Sequence, residues 1–186
     1  MEKKIRVVQY GLGPIGCKIA QYLTERDHFD IVGAIDSDHK KIGTDLGHLA
    51  ELNAPLGLNV TANSRDLLER VDADVVVLTT TSSLEKIRPQ IMEIISCGKN
   101  VVSTCEELMY PWVTNPEVAR EIDWFAKEHK VSVLSTGVNP GFLMDFLPLV
   151  MTSICREVKK VTVERIQDAQ FRSPKRTMVF ESWCII

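Results

Sequence analysis

Two hydrophobic periods take turns along this chain: short apolar runs rich in β-branched residues, and longer stretches whose apolar positions recur every three or four residues. The run "KIRVVQY" predicts a first strand. "GCKIAQYLTER" then sets Ile15, Ile19, Ala20 and Leu23 on one face, which predicts a helix beginning near Pro14. "FDIVGAID" predicts the second strand. The following "KKIGTDLGHLAEL" has partial helical spacing, weakened by Gly43 and Gly47, since a glycine inside a helix costs about 1 kcal/mol against alanine. "LGLNVTA" suits a third strand, and "SRDLLERV" a short helix with Ser64 at its N-cap. "ADVVVLTTT" is a continuous apolar run, the kind found in a parallel sheet covered on both faces.

In "SSLEKIRPQIMEIISCGK", Ser82 and Glu85 stand at capping-box spacing and Gly98 suits the C-terminal end. "NVVSTCEEL" is a fifth strand, Asn115 and Pro116 open a helix over "PEVAREIDWFAKEHK", and "VSVLSTGV" is a sixth strand. Strands separated by helices and tight loops define an α/β fold, a doubly wound parallel sheet with right-handed crossovers, over residues 1–144. Beyond it, "DFLPLVMTSICRE" predicts a linker helix with Asp145 as cap and Pro148 in the first turn. "KKVTVERIQDAQ" alternates with period two and predicts the first strand of a second α/β domain begun within 145–186. A strand of this kind, left unpaired, invites a second copy, so a homo-oligomer is expected.

Composition adds mainly exclusions. With 186 residues, 45% hydrophobic and 25% charged, the chain has the balance of a globular protein with one sizeable core. A formal net charge of −3 creates no field that attracts nucleic acid or an anionic membrane. No apolar run approaches the roughly 18 to 20 residues that cross a bilayer, and "MEKKIRVV" is not a secretory leader. Cys17, Cys97, Cys105, Cys155 and Cys184 form no CxxC pair, which reads as a reduced, cytoplasmic protein. His28, His39, His48 and His129 lack metal-ligand spacing, and no metal is expected.

The chemistry is concentrated where the first strand meets the first helix. Gly11, Gly13 and Gly16 make GxGxxG, a weak pattern alone. Here a strand precedes it, a helix follows it, and Asp36 closes the second strand 20 residues past Gly16, which is the context a dinucleotide fingerprint requires. Gly11 permits the tight turn, Gly13 leaves room for a pyrophosphate, and Gly16 lets helix and sheet approach. Pro14 fits the first helical position, so the amides of the first turn face the phosphates. The cofactor-binding residues expected from the loop are therefore Gly11, Leu12, Gly13, Pro14, Ile15 and Gly16, together with Asp36 on the adenosine ribose. The plain alternative is a glycine turn without a ligand. Asp36 favours NAD, whereas Lys40 and Lys41, unless they are merely solvated, could reach a 2′-phosphate and keep NADP open.

Thr80 and Thr81, beyond the fourth predicted strand, are expected on the nicotinamide side, with turn and cap formation as the competing explanation. Asn139, Pro140 and Gly141 in "STGVNPGFLMD" offer an amide side chain and accessible backbone for the carboxamide, though turn chemistry alone would account for them. Glu106 and Glu107 lie on the same rim, where an amine substrate would want negative charge and a solvated loop would look the same.

"VVQYGLGPIG", "VVSTCEEL" and above all "STGVNPGFLMDFLPLVMTSICREVKKVTVERIQDA" resemble the 2,4-diaminopentanoate dehydrogenases, relatives of dihydrodipicolinate reductase. The resemblance implies a Rossmann NAD(P)-binding domain and NAD(P)-linked oxidative deamination of a diamino acid in ornithine breakdown, releasing ammonia and forming 2-amino-4-oxopentanoate. It also implies a longer protein, whose second domain holds the substrate and supports oligomers. The likeness stops at Gln170, and "FRSPKRTMVFESWCII" departs from it, which predicts a shifted frame or premature stop. No histidine follows His129, and Lys159 and Lys160 match no motif, so no catalytic residue is assigned. An imine reductase of the dihydrodipicolinate reductase type and a non-catalytic dinucleotide-binding module are the alternatives.

Overall fold

The computed structural model describes residues 3–164. Its centre is a five-stranded, wholly parallel sheet in the order β2-β1-β3-β4-β5, formed by β1 (Ile5–Tyr10), β2 (Phe29–Ile35), β3 (Val75–Leu78), β4 (Asn100–Ser103) and β5 (Val133–Ser135). The helices between them are α1 (Pro14–Thr24), α2 (Leu46–Leu49), α3 (Ser64–Arg70), α4 (Leu84–Ser96), α5 (Pro111–Thr114) and α6 (Pro116–Glu128). Two apolar clusters make the core. The larger joins Val8, Tyr10, Val76 and Leu78 to Leu84, Ile87, Ile91, Ile94 and Ile95 of α4 and to Ile122 of α6. The smaller joins Leu12, Ala20 of α1, Ala34, Leu46, Ala50 and Val60. Each fully buried Leu or Ile is worth about 1.5 to 3 kcal/mol against exposure, so α4, with five such residues, is the main anchor of its layer.

The third predicted strand is absent from the sheet, which has five strands and not six. "LGLNVTA" makes only a parallel bridge between Ile35 and Thr61, while Asp45 and Asn59 bridge antiparallel. The cause is Asp45. Its carboxylate takes the amides of Gly47 at 2.7 Å, Leu56 at 2.9 Å and Leu58 at 3.0 Å, so it caps the single turn of α2 and wraps the following segment around itself. Burial acts to raise the pKa of Asp45, but the amides of Leu56, Gly47, Leu58 and Gly57 overcome it and hold the group below the usual carboxylate value.

Several predicted caps are replaced by neighbours. Asn63, not Ser64, caps α3 by accepting from the Asp66 amide, while the Ser64 hydroxyl donates to Glu93 at 2.8 Å. Ser83 occupies the cap position of α4 without a side-chain bond, and the carboxylate of Glu107 takes the Leu84 amide at 2.7 Å. In α1 the buried line is Gly16, Ala20 and Leu23; Ile15 is 48% exposed. Close approach at Gly16 turns that line towards the sheet, and Ile15, about 100° away around the helix, faces out. At the start of β1, Arg6 holds Asp74 through its amide at 2.7 Å and its guanidinium, which brings the Asp74 pKa down to about 2.

The chain divides into two compact units between Thr136 and Gly137. The second opens with an irregular helical segment, Val138–Phe146, in which Asn139, Pro140 and Gly141 leave helical geometry and the Asn139–Pro140 peptide is cis. It continues as α7 (Leu147–Thr152), with Pro148 in the first turn as expected. Asp145 does not cap this helix; its carboxylate takes the Gly141 amide at 2.7 Å. The helix ends at Thr152, short of the predicted stretch. Residues 159–164 of the expected strand are unpaired among the described residues, and the remainder of it, with the C-terminal tail, lies outside them.

Candidate cofactor site

The chain leaves β1 through α1 to reach β2 on one side, then returns to the other side of β1 as β3. Loops at the carboxyl ends of β1 and β3 therefore diverge, and open α/β sheets bind ligands in the crevice so formed. Gly11 turns the chain there with a φ of +95°, a conformation that suits glycine, and a Cβ on it would lie 2.8 Å from the Thr79 carbonyl. Gly16 is tighter still: a Cβ would stand 1.9 Å from the Gly11 oxygen. Gly13 is the opposite case, since a Cβ there would meet nothing within 4 Å.

Gly13 is also the N-cap of α1, with Pro14 in the first turn. The first intrahelical bond runs from the Cys17 amide to the Gly13 carbonyl at 2.9 Å, so the amides of Ile15 and Gly16 precede the ladder. Those donors and the positive end of the helix dipole suit a pyrophosphate. Leu12 contributes differently. Its side chain is core, and its amide donates to Asp36 Oδ2 at 2.7 Å.

Asp36 follows β2 and is only 9% exposed. Oδ1 accepts from the Asp38 amide at 2.8 Å, while Oδ2 accepts both Leu12 and Lys41 Nζ, the latter at 3.1 Å. Burial acts to raise its pKa, but the amides of Asp38 and Leu12 and the Lys41 ammonium outweigh it and lower the value. The group is an anion at neutral pH, with acceptor capacity left for a sugar hydroxyl because a carboxylate offers about four lone-pair sites. Lys40 is exposed, as the solvated alternative had it, but Lys41 is not a free loop lysine: it pairs with Asp36 and lies 3.8 Å from Asp38.

Of the threonines after β3, Thr80 is exposed, gives its hydroxyl to Gln90, and would touch a Cβ on Gly11 through its methyl group at 3.0 Å. The Thr81 hydroxyl accepts from the Ser83 amide at 3.3 Å. Thr79, which was not among the expected residues, is the one bonded into the glycine loop: its hydroxyl donates to the Gly11 carbonyl at 2.7 Å. Buried Gln9, with no marker in the sequence, reaches the same carbonyl at 3.1 Å. Glu107 is occupied as the cap of α4, and Glu106 opens the 3-10 turn Glu106–Leu108 just past β4. The structure thus gathers Gly11 to Gly16, Asp36, Thr80 and Thr81 in the first unit. Asn139, Pro140 and Gly141 belong to the second, where the Phe142 amide closes back on the Gly137 carbonyl at 2.9 Å. Among the described residues, no group of three or more His, Cys, Asp or Glu side chains is placed to hold a metal, and no helix is long and apolar enough to cross a membrane.

A parallel sheet with this loop at its switch point is a Rossmann domain of the NAD(P)-binding kind. The chain belongs to the family of dihydrodipicolinate reductase, N-terminus, whose model matches residues 5–105. It is 36% identical over 165 residues to 2,4-diaminopentanoate dehydrogenase of Acetoanaerobium sticklandii, covering 88% of this chain and 46% of that protein. Among solved structures it is similar to amine dehydrogenase from Mycobacterium smegmatis, with a TM-score of 0.76 and 33% identity over 83% of this chain and 46% of the other. The WlbA dehydrogenase from Bordetella pertussis, solved with NADH and UDP-GlcNAcA, shares the fold at a TM-score of 0.60 and 21% identity, over 82% of this chain and 40% of the other. The chain spans about half the length of the curated relatives it matches.

Proposed function

We propose that this chain is the cofactor-binding part of an NAD(P)-dependent dehydrogenase acting on the CH–NH2 group of an amino acid, with 2,4-diaminopentanoate as the first substrate to test. The observation that carries the reading is the contrast within the loop: Gly11 and Gly16 have no room for a side chain, whereas Gly13 faces open space beside a helix N-terminus. The fold has no steric need of a glycine at 13, but a ligand backed against the main chain has one.

In this reading Gly13, Pro14, Ile15 and Gly16 line the pyrophosphate, Gly11 shapes the turn, and Leu12 acts through its amide on Asp36. Asp36 receives the adenosine ribose, which favours NAD, and Lys41 supplies a cation where a 2′-phosphate would lie. Thr80 and Thr81 are assigned to the nicotinamide side. When bound, the dinucleotide supplies the hydride acceptor. Glu106, just past β4, is the acid proposed to face the substrate amine. The segment from Asp145 onwards begins the substrate-holding part, a reading supported by the greater length of the relatives.

Isothermal titration with NAD(H) and NADP(H), followed by an assay with 2,4-diaminopentanoate, tests the reading. Binding with turnover supports it. Binding without turnover favours a dinucleotide-binding module, and absence of binding to either nucleotide removes both. The family match also admits imine reduction, read by NAD(P)H oxidation on a cyclic imine.

A further inference from the structure

We propose that Gln9 and Thr79 are positioning residues for the dinucleotide, acting through the peptide that joins Gly11 to Leu12; this rests on the cofactor reading above. The Gly11 carbonyl and the Leu12 amide belong to one planar unit and point in opposite directions. Two donors hold the carbonyl end, Gln9 Nε2 at 3.1 Å and the Thr79 hydroxyl at 2.7 Å. Asp36 holds the amide end at 2.7 Å.

The two donors are themselves linked, for Gln9 Nε2 also donates to Thr79 Oγ1 at 3.0 Å. A carbonyl oxygen only accepts, so the amide must present its nitrogen, and the single hydroxyl proton goes to the Gly11 carbonyl at 2.7 Å in preference to the Tyr10 carbonyl at 3.3 Å. The result is a closed ring of donors on one oxygen, in which each bond polarises the next. The plane cannot rotate, and Gly13 and the first turn of α1 are delivered in a fixed orientation.

Stability does not explain Gln9. Its side chain is fully buried among apolar strand residues, and its Oε1 has no partner, an arrangement that costs stability by comparison with an apolar side chain of the same shape. Gly16 is a second sign that the ring occupies the ground beneath the loop: a Cβ on it would strike both the Gly11 oxygen and, at 2.7 Å, Thr79 Oγ1.

The test is calorimetric titration of the full chain and its variants with NADH and NADPH, with thermal melts alongside. Thr79→Val removes the hydroxyl at constant volume and is expected to weaken binding at least tenfold, while Thr79→Ser keeps the hydroxyl and binds within twofold of the unaltered chain. Gln9→Met is expected to weaken binding to a similar degree while melting no lower, because it removes an unpartnered acceptor along with the donor. Lower melting with unchanged affinity in both Thr79→Val and Gln9→Met would overturn the proposal and leave a packing role. If Thr79→Val fails to fold, Gln9→Met and Thr79→Ser decide. Failure of the unaltered chain to bind either nucleotide overturns the cofactor reading and the proposal together; binding by the unaltered chain with equal binding by the variants overturns the proposal alone.

Discussion

Adding one methyl group at Gly13 or at Gly16 should separate what the fold needs from what the ligand needs. At Gly16 the new carbon would lie 1.9 Å from a backbone oxygen, against an ordinary contact of 3.4 to 4 Å. Neither atom belongs to a flexible side chain, so α1 must shift outwards by about an ångström. Overpacking of this kind costs roughly 1 to 3 kcal/mol, and a chain of this size loses about 2 to 4 °C of Tm for each. Gly16→Ala is thus expected to melt several degrees lower and to bind dinucleotide weakly.

At Gly13 the outcome differs. The backbone there has φ −68° and ψ −178°, which alanine adopts without strain, and the new carbon meets nothing within 4 Å. Alanine is a poor N-cap, costing about 0.5 to 1 kcal/mol, but it stiffens the unfolded chain by a similar amount, so Tm should stay within about 2 °C. Gly13→Ser, which restores a cap, removes the remaining ambiguity. Both variants are expected to lose at least tenfold in dinucleotide affinity, measured by calorimetry. Retention of full affinity by Gly13→Ala would refute the reasoning, because the open space over Gly13 would then serve no ligand.

Lys41→Met should weaken NADP(H) binding about tenfold relative to NAD(H), in keeping with the loss of one close charge pair at a partly exposed site; equal loss for both nucleotides would count against a 2′-phosphate role. Asp36, Asp45 and Asp74 all have folded-state pKa values below their unfolded ones, so their contribution is present above about pH 4 and is lost as pH falls through the lowered values. Melting temperature should therefore drop between about pH 4 and 2, less steeply in Asp36→Asn. Burial pushes the Cys105 thiol up to about 11, so at pH 8 a disulfide reagent should modify exposed Cys155 well before Cys105.

What could be read from the sequence was whatever depends on neighbours in the chain. The strand, glycine loop and helix from Ile5 to Thr24 and the carboxylate after β2 follow from local period and turn chemistry, and the structure has them where they were expected. What escaped depends on partners far along the chain. Thr79 and Gln9 meet 70 residues apart, and Glu107 caps a helix that starts 23 residues before it. Lys41 looks like any loop lysine until the loop folds back on Asp36. "LGLNVTA" has strand composition, but three amides gathered by Asp45 outweigh that propensity, so the edge of the sheet gains a bridge instead of a strand.

The bond from Asp36 to the Leu12 amide carries a practical consequence for anyone re-engineering coenzyme preference. The usual exchange of the strand-end acid for a small neutral residue would remove an anchor of the neighbouring turn as well as a sugar contact. Asparagine discards the charge and keeps an oxygen for Leu12, but its NH2 cannot accept from the Asp38 amide, so even this milder exchange gives up one of the two backbone bonds at that corner.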